Sequence, residues 1–413
     1  MSGKPTQRHA ARRRLVVVGN GMAPGRVLER LLEAAPDAWD ITIFNAESRV
    51  NYDRIMLSPV LAGEKTFDQI VIHGDSWYER HGITLHKGTT VTAIDRAAKT
   101  VTAARGHTVR YDQLLIATGS LPIIIPVPGH TLAGVLSYRD LDDVHAMLLA
   151  AQSRGKAVVI GGGLLGLEAA AGLRERGMDV TVLHLLPTLM ERQLDPEAGM
   201  LLQRTIEARG IKVITQANTK AILGEKKVEA VELADGTRLP ADLVIMAVGI
   251  RPNAGLGRTA GLDVGRGIKV DAAMQTSDPD IFAVGECVEV AGDVFGLVAP
   301  LYEMAHVIAA RLSGDTATTF QRKALATRLK VSGIDLFSAG DFVAGSDRDD
   351  AVLRDPARRV YKRLVFKDGR LIGAVLFGDT GDGARIFSII QSGGKFVGSR
   401  EALMFGFAPA MAA

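Results

Sequence analysis

One short stretch constrains the fold of this chain more than any other. Residues 157–168 read AVVIGGGLLGLE, in which the apolar run at 158–160 predicts a buried parallel strand. Three glycines follow at once, and residues 165–176 have the apolar spacing of a helix. The order strand, glycine turn, helix is typical of a dinucleotide-binding fold. Gly161 is expected to make the tight bend, and Gly163 to let the backbone approach a pyrophosphate. Gly166 is expected to let the helix pack on the strand.

A second unit of this kind lies near the N-terminus. The apolar strand at residues 15–18 runs into the turn at 19–25, where Pro24 occupies the place of the usual third glycine. Proline is tolerated in the first helical turn because its missing N–H would be unpaired there anyway, so the turn can still open a helix. The next strand ends toward Glu47, which can accept hydrogen bonds from an adenosine ribose. A solvent-facing carboxylate at a strand end is the alternative interpretation of Glu47.

The central unit leaves the choice of nucleotide open. His184 follows its second strand, at the place where an acid would favour NAD. A histidine there could lie near a 2′-phosphate, and Arg192 further along could reach the same group or simply be solvated. The sequence alone therefore does not distinguish NADH from NADPH.

The single cysteine excludes several kinds of site, and the small net charge argues against two kinds of partner. With Cys287 alone, the sequence provides no internal disulfide, no redox-active cysteine pair and no four-cysteine iron–sulfur or zinc site. A formal net charge of +3 is too small to argue for nucleic acid or an anionic membrane. No apolar run approaches the ~18 residues of a membrane span. The basic start, residues 1–14, is followed by too short an apolar run for a signal peptide, so we expect a solvated tail and a cytoplasmic chain.

Three other predicted strands are also followed by turns of small residues. Residues 114–120, 243–249 and 280–286 each read as a buried strand followed by glycine, and the last one places Glu286 at a strand's carboxyl end. Ligands bind at that edge of open parallel sheets. The loop at 51–59 lacks a clear period, and its Arg54 suits a phosphate, although a surface salt bridge explains it equally well. Beyond these segments, residues 360–377 predict an antiparallel hairpin with a turn at Asp368 and Gly369.

Two strand–turn–helix units in one chain predict two dinucleotide sites, which suggests a flavin between a nicotinamide and an acceptor. The cofactors of such an enzyme carry the chemistry, and the fold only positions them. This is consistent with a sequence that offers no convincing catalytic triad or metal-ligand cluster. A single-site enzyme with a degenerate duplicate is the alternative.

The sequence resembles a known family, the flavoprotein reductases with two dinucleotide-binding domains. Within that family it is similar to the FAD/NAD(P)H portion of the assimilatory nitrite reductase large subunit. The shared dinucleotide motifs are VVVGNGM (16–22), NYDRIMLS (51–58), LLIATGS (114–120), IGGGLLGLEAA (160–170) and AVGIRPN (247–253). The motifs that point more narrowly to the nitrite reductase branch are PTLMERQLD (187–195), FAVGECVE (282–289) and GLVAPLYE (296–303).

The resemblance implies cofactor contacts, with no catalytic side chain and no metal ligand. FAD would be held by Gly19, Gly21, Met22, Glu47, Arg54, Ser58, Thr118, Gly119, Gly285 and Glu286. NAD(P)H would be held by Gly161, Gly163, Leu165, Gly166 and Glu168, and Gly249 completes the cofactor-binding set. Many branches of the family have aspartate in place of Glu286. The rubredoxin reductase branch has a lysine after the serine of the loop, where this sequence has Pro59.

The resemblance also implies an architecture and an activity. We expect an α/β fold with two Rossmann-like domains, the NAD(P) domain inserted in the FAD domain, and a C-terminal α+β domain. The expected boundaries are 1–120 and 251–317 for FAD binding, 121–250 for NAD(P)H binding and 318–413 for the last domain. The expected activity is electron transfer from NAD(P)H through FAD to a separate iron–sulfur or sirohaem protein, as the input component of nitrite reduction.

The residues are also compatible with other functions. The same fold could serve a ferredoxin or rubredoxin reductase or an NADH oxidase. Related oxidases rely on a reactive cysteine, whereas Cys287 is expected to be a small buried hydrophobe. A protein of another class, a non-catalytic NAD(P)H-sensing flavoprotein, would bind dinucleotides without turnover. The sequence does not choose between a monomer and a homodimer.

Overall fold

The computed structural model describes residues 12–323, 326–331 and 333–406 of the chain. Most of the basic N-terminal segment expected to be a solvated tail therefore lies outside the described residues. The described chain divides into two compact units. The first comprises the residues up to Leu57, Lys65–Leu121 and Ile250–Arg322, and the second comprises Ser58–Glu64, Pro122–Gly249 and the residues from Lys323 onward.

Strands and helices are numbered along the whole described chain. The strands are β1 Arg13–Val18, β2 Trp39–Phe44, β3 Asn51–Tyr52, β4 Val71–His73, β5 Thr84–His86, β6 Val91–Asp95, β7 Thr100–Ala103, β8 Thr108–Arg110, β9 Gln113–Ile116, β10 Ser120–Pro122, β11 Val135–Ser137, β12 Lys156–Ile160, β13 Asp179–Leu183, β14 Lys212–Ile214, β15 Thr219–Leu223, β16 Ala230–Leu233, β17 Arg238–Pro240, β18 Leu243–Met246, β19 Ile250–Pro252, β20 Ile268–Val270, β21 Ile281–Ala283, β22 Val288–Val290, β23 Ala326–Val331, β24 Ile334–Gly340, β25 Asp349–Asp355, β26 Val360–Lys367 and β27 Arg370–Phe377. The α-helices are α1 Met22–Ala34, α2 Leu57–Ala62, α3 Asp75–Arg80, α4 Leu141–Ala151, α5 Leu164–Glu175, α6 Pro196–Glu207, α7 Gly255–Thr259, α8 Val298–Leu312, α9 Gly383–Ser392 and α10 Arg400–Phe405.

The first unit is built on a five-stranded parallel sheet of order β21-β9-β1-β2-β5. Its central strand β1 is buried over Leu15 to Val18, because both faces of a parallel sheet are covered. Helices α1 and α8 contribute Leu28, Leu31 and Ile308 to the same core. Val18 pairs with Phe44 of β2 and with Ile116 of β9, so the carboxyl ends of these strands lie along one edge.

The second unit repeats this plan. Its parallel sheet has the order β11-β18-β12-β13-β14. Helix α5 follows β12 and buries Leu167, Ala170 and Leu173. A three-stranded antiparallel meander accompanies each sheet, β6-β7-β8 in the first unit and β15-β16-β17 in the second. The predicted pair of Rossmann-like folds is thus confirmed.

The C-terminal part of the second unit is a five-stranded antiparallel sheet of order β23-β24-β27-β26-β25 with helices α9 and α10. Strands β26 and β27 form the predicted hairpin, and Asp368 and Gly369 between them both have positive φ, 51° and 72°. This pair of left-handed residues gives the twist that a two-residue hairpin turn needs. The α/β class with a C-terminal α+β part is therefore confirmed, whereas the precise domain boundaries stay a prediction. In the described part of the chain, no helix is long and apolar enough to cross a bilayer.

Candidate functional site

The first glycine turn has room only for glycine at its bend. Gly19 has a φ of +108°, and a Cβ atom there would lie 2.2 Å from the carbonyl oxygen of Ala117. Its amide donates to the carbonyl of Phe44 at 2.8 Å, which ties the bend to β2. The positive φ and the close carbonyl both require a residue without a side chain.

The turn leads into an uncapped helix start that has open space beside its N-cap residue. Gly21 is the N-cap of α1, no side chain caps the helix, and its first turn contains no acidic residue. A Cβ on Gly21 would meet no atom within 4 Å. Unpaired amides at a helix start attract anions, so this cradle fits a pyrophosphate. Helix α1 begins at Met22 and includes Pro24, which confirms that the displaced third glycine does not prevent the helix.

Asn51 is a residue that the sequence analysis left without a role. Its side-chain amide donates to the carbonyls of Asn20 at 2.8 Å and Gly21 at 2.7 Å. It is fully buried, and Asn20 in turn exchanges hydrogen bonds with the Tyr78 hydroxyl. Because Asn51 holds both carbonyls of the turn, it fixes the orientation of the peptides whose amides face the cradle. Asn51 belongs to the NYDR motif, and this motif could have identified it as a functional residue from the sequence.

Glu47 and Arg54 meet each other in the first unit. The Arg54 guanidinium pairs with one carboxylate oxygen of Glu47, and the Tyr52 hydroxyl donates to the other at 2.6 Å. Both charged side chains are about one-quarter exposed, at 23% for Glu47 and 24% for Arg54. The salt bridge considered for Arg54 is therefore present, and the roles of both residues toward a cofactor stay predictions.

The other predicted residues of the first unit lie at the same edge of the sheet. Thr118 and Gly119 follow β9, and the Thr118 hydroxyl donates to the carbonyl of Asn253 at 2.6 Å. Gly285 and Glu286 follow β21, and Glu286 accepts a hydrogen bond from the Ser120 hydroxyl at 2.8 Å. The sheet thus gathers the turns after β1, β2, β9 and β21 on one side, where ligands of this fold bind.

Cys287 lies beneath this edge. It is fully buried, and its thiol donates to the carbonyl of Val284 at 3.3 Å. Burial raises the pKa of the Cys287 thiol, so the nucleophilic thiolate is disfavoured. The expectation of a small buried hydrophobe is confirmed.

The second glycine turn repeats the geometry of the first. Gly161 has a φ of +123°, and a Cβ atom there would lie 2.2 Å from the carbonyl oxygen of Ala247. Its amide donates to the carbonyl of Leu183 at 2.8 Å. Gly163 is the N-cap of α5, without a side-chain cap, and a Cβ there would meet nothing within 4 Å. The second turn therefore has the same uncapped and open helix start and fits a second pyrophosphate.

Further glycines close the second turn. A Cβ on Gly166 would lie 1.9 Å from the carbonyl oxygen of Gly161, so only glycine lets α5 lie this close to the turn. Gly249, which follows β18, has a φ of +120°. Leu165 on α5 is 37% exposed. The roles of these residues in holding a nucleotide stay predictions.

His184 packs against the second glycine turn. Its ring nitrogen Nδ1 accepts a hydrogen bond from the Gly162 amide at 3.1 Å, and Nε2 lies 3.2 Å from a carboxylate oxygen of Glu191. His184 is 7% exposed. A carboxylate thus stands at this edge although the residue after β13 is not acidic.

Glu168 forms a hydroxyl–carboxyl cluster with two residues distant in sequence. The Ser58 hydroxyl is 2.5 Å from a carboxyl oxygen of Glu168 and 2.8 Å from the Tyr138 hydroxyl. Burial raises the pKa of Glu168 to about 7, and the hydrogen bond from Ser58 acts in the opposite direction. Burial also raises the pKa of the Tyr138 hydroxyl. The carboxyl of Glu168 therefore exchanges its proton near neutral pH.

The structure groups the predicted residues by unit. The first unit contains Gly19, Gly21, Met22, Glu47, Arg54, Thr118, Gly119, Gly285 and Glu286. The second unit contains Gly161, Gly163, Leu165, Gly166, Glu168, Gly249 and also Ser58. Ser58, expected to approach a flavin, thus contacts Glu168, expected to approach a nicotinamide nucleotide. Sequence reasoning missed Tyr138, because the three-residue strand β11 before it gives too short a pattern to recognise.

Comparison with known proteins agrees with this geometry. The pyridine nucleotide-disulphide oxidoreductase family matches residues 13–314, and the rubredoxin NAD+ reductase C-terminal domain matches residues 326–394. Nitrite reductase [NAD(P)H] of Bacillus subtilis is 47% identical over 380 residues, which cover 92% of this chain and 47% of that protein. The assimilatory nitrate reductase electron transfer subunit of the same organism is 44% identical, over 91% of this chain and 49% of that protein.

A solved structure supports the same assignment. NADH:rubredoxin oxidoreductase from Clostridium acetobutylicum superposes with a TM-score of 0.80 at 28% identity, over 96% of this chain and 100% of that chain. The chain spans about half the length of the nitrite and nitrate reductase relatives named above. The resemblance seen in the sequence motifs is confirmed, and the chain belongs to the pyridine nucleotide-disulphide oxidoreductase family.

Proposed function

We propose that this chain is an FAD-dependent NAD(P)H reductase that passes electrons to a separate redox protein, as the input component of nitrite reduction. The observation that carries the proposal is the duplicated glycine turn. Gly19 and Gly161 have the same bend, and Gly21 and Gly163 both leave an uncapped helix start open. Two such cradles in one chain accommodate two pyrophosphates.

The first unit would hold FAD. The amides after Gly21 would face its pyrophosphate, Glu47 or Arg54 would lie toward its ribose and phosphate, and the turns at Thr118 and Gly285 would line the same edge. When bound, FAD supplies the conversion of a two-electron hydride into electrons for an acceptor. The protein's own contribution is to bind, to orient and to exclude water.

The second unit would hold NAD(P)H through the amides after Gly163. Ser58, Tyr138 and Glu168 would then order the reactive end of the nucleotide. The Ser58 hydroxyl can donate to an ionised Glu168 or accept from a neutral one. Because the pKa of Glu168 is raised to about 7, this cluster would hold or release one proton near neutral pH.

The nitrite branch is favoured by the relatives and by the narrower motifs. The relatives named nitrite reductase and nitrate reductase electron transfer subunit cover more than nine-tenths of this chain. An acceptor protein with an iron–sulfur or sirohaem centre is part of the proposal, since this chain has one cysteine and Cys287 is buried. The proposal also places this chain in the cytoplasm.

The first test is a visible spectrum of the purified protein before and after anaerobic addition of NADH or NADPH. A flavin spectrum that bleaches is expected. The variant Gly21→Asp should lose FAD, because the new carboxylate would cap α1 and repel the pyrophosphate. The matched variant Gly163→Asp should keep FAD but no longer bleach. A protein that binds no flavin after reconstitution would refute the proposal.

A rubredoxin reductase is the second candidate, favoured by the match of residues 326–394 to that enzyme's C-terminal domain. It predicts rapid anaerobic reduction of a rubredoxin, whereas the nitrite branch predicts reduction of an iron–sulfur or sirohaem protein. Pro59, at the place of that branch's lysine, weighs against it. A nucleotide sensor would instead bind both dinucleotides and reduce neither acceptor.

A further inference from the structure

We infer that Glu191, which lies beside His184, makes the second unit select a nucleotide without a 2′-phosphate, so that NADH is the preferred donor. The inference rests on the proposed function, in that it names the donor of that reaction. In this fold the acid that contacts the ribose usually follows the second strand directly. Here that residue is a histidine, and the carboxylate comes from Glu191, further along the chain.

The hydrogen bond at Nδ1 of His184 leaves Nε2 on the side of Glu191. Nδ1 accepts from the Gly162 amide at 3.1 Å, so a neutral ring carries its proton on Nε2. That atom lies 3.2 Å from Oε2 of Glu191. The hydrogen bond from Gly162 positions the ring, and Nε2 and the carboxylate lie within ion-pair distance of each other without forming a hydrogen bond.

The segment that carries Glu191 is anchored on the same turn. The Met190 amide donates to the carbonyl of Gly162 at 3.1 Å. A Cβ on Gly162 would lie 2.5 Å from a methyl of Leu189 and 2.8 Å from Cγ of His184, so both side chains rest directly on the glycine. Glu191 is consequently held beside the turn that would bind the pyrophosphate.

The carboxylate is accessible to a ligand. The Glu191 side chain is 33% exposed. Among the described residues, its one polar contact is with His184. The side chains of Leu185 and Leu186, which follow His184, are 62% and 41% exposed and apolar, so neither of them supplies a positive charge to attract a phosphate.

The chemistry of the two donors differs at one group. A ribose 2′-hydroxyl can donate to the free oxygen of Glu191, which replaces the acid that this fold usually carries after its second strand. A 2′-phosphate would place about two negative charges against the same oxygen. Arg192, the next residue, would favour the phosphate instead. The experiment must therefore distinguish the effect of Glu191 from that of Arg192.

The test measures calorimetric binding of ADP-ribose and of 2′-phospho-ADP-ribose to the flavin-loaded protein. The wild type should bind ADP-ribose at least about tenfold more tightly. Glu191→Gln should reduce the ratio below about threefold, because the amide keeps the shape and removes the charge. Glu175→Gln, an equal charge change at the exposed far end of α5, and Arg192→Ala should leave the preference intact.

The outcomes are separable from those of the proposed function, because neither probe contains nicotinamide. Equal binding of the two probes or a preference for the phosphorylated one overturns the inference alone, whereas failure of both to bind overturns it together with the proposed nucleotide site of the second unit. An unchanged ratio in Glu191→Gln overturns it as well. An intact preference in a protein whose flavin is not reduced by NADH would overturn only the proposed function.

Discussion

The substitution Glu168→Gln tests the buried carboxyl of the second unit most directly. The amide has the size of the carboxyl and can still bond with the Ser58 hydroxyl, which lies 2.5 Å away. It cannot ionise. The substitution therefore removes the cost of a buried negative charge and changes little else.

The expected effect depends on pH. Burial raises the pKa of Glu168 from its ordinary value of 4.5 to about 7. A carboxyl whose pKa is higher in the folded than in the unfolded chain stabilises the fold in its neutral form. That contribution is complete below the unfolded value and is lost as pH rises through the folded one. At about 1.4 kcal/mol per pKa unit, the rise from 4.5 to about 7 sets an upper limit of about 3.5 kcal/mol. Because the side chain is partly exposed, we expect about 1–2 kcal/mol.

The assay is urea unfolding followed by circular dichroism at about pH 4 and about pH 8. The free energies of unfolding of wild type and Glu168→Gln should nearly coincide at the lower pH. At the higher pH the variant should be more stable by about 1–2 kcal/mol. Glu175→Gln, at an exposed position on the same helix, is the matched control and should show no such divergence. Equal pH dependence of wild type and Glu168→Gln would refute the argument.

Three further predictions follow from the described contacts. Gly161→Ala should lower the free energy of unfolding by at least about 2 kcal/mol, because its Cβ would overlap a carbonyl, whereas Gly163→Ala should unfold like the wild type in the same urea titration. Asp195→Ala should cost about 3–5 kcal/mol, since Asp195 caps α6 and pairs with the buried Arg363 at 3.2 Å, and an unchanged melting temperature would contradict this. Cys287 should react with a thiol reagent only after denaturant is added, so rapid labelling of the native protein would disprove its burial.

The local chemistry of the two glycine turns could be predicted from the sequence. A short apolar strand, a residue that must adopt positive φ and a following helix are neighbours in the chain, and their geometry depends on adjacent residues. Gly161 shows this most clearly, since its bend and its missing side chain both follow from the pattern. The role of Pro24 was predictable for the same reason, because the first turn of a helix needs no amide there.

Contacts between distant segments could not be predicted in this way. Ser58 and Glu168 are 110 positions apart, and Ser58 and Tyr138 are 80 apart. Their meeting depends on how α2, α5 and the end of β11 pack in the second unit. The raised pKa of Glu168 is a property of that packing, because burial is its largest cause.

The sequence by itself determined the family, the paired Rossmann-like folds and the limits on cysteine chemistry, since these depend on local motifs and on composition. Only the tertiary structure decided which groups face each other. It placed Asn51 on the carbonyls of the first turn and Glu191 beside His184 at the second. Hydrogen bonds and ion pairs act over a few ångströms in space, and separation along the chain does not report that distance.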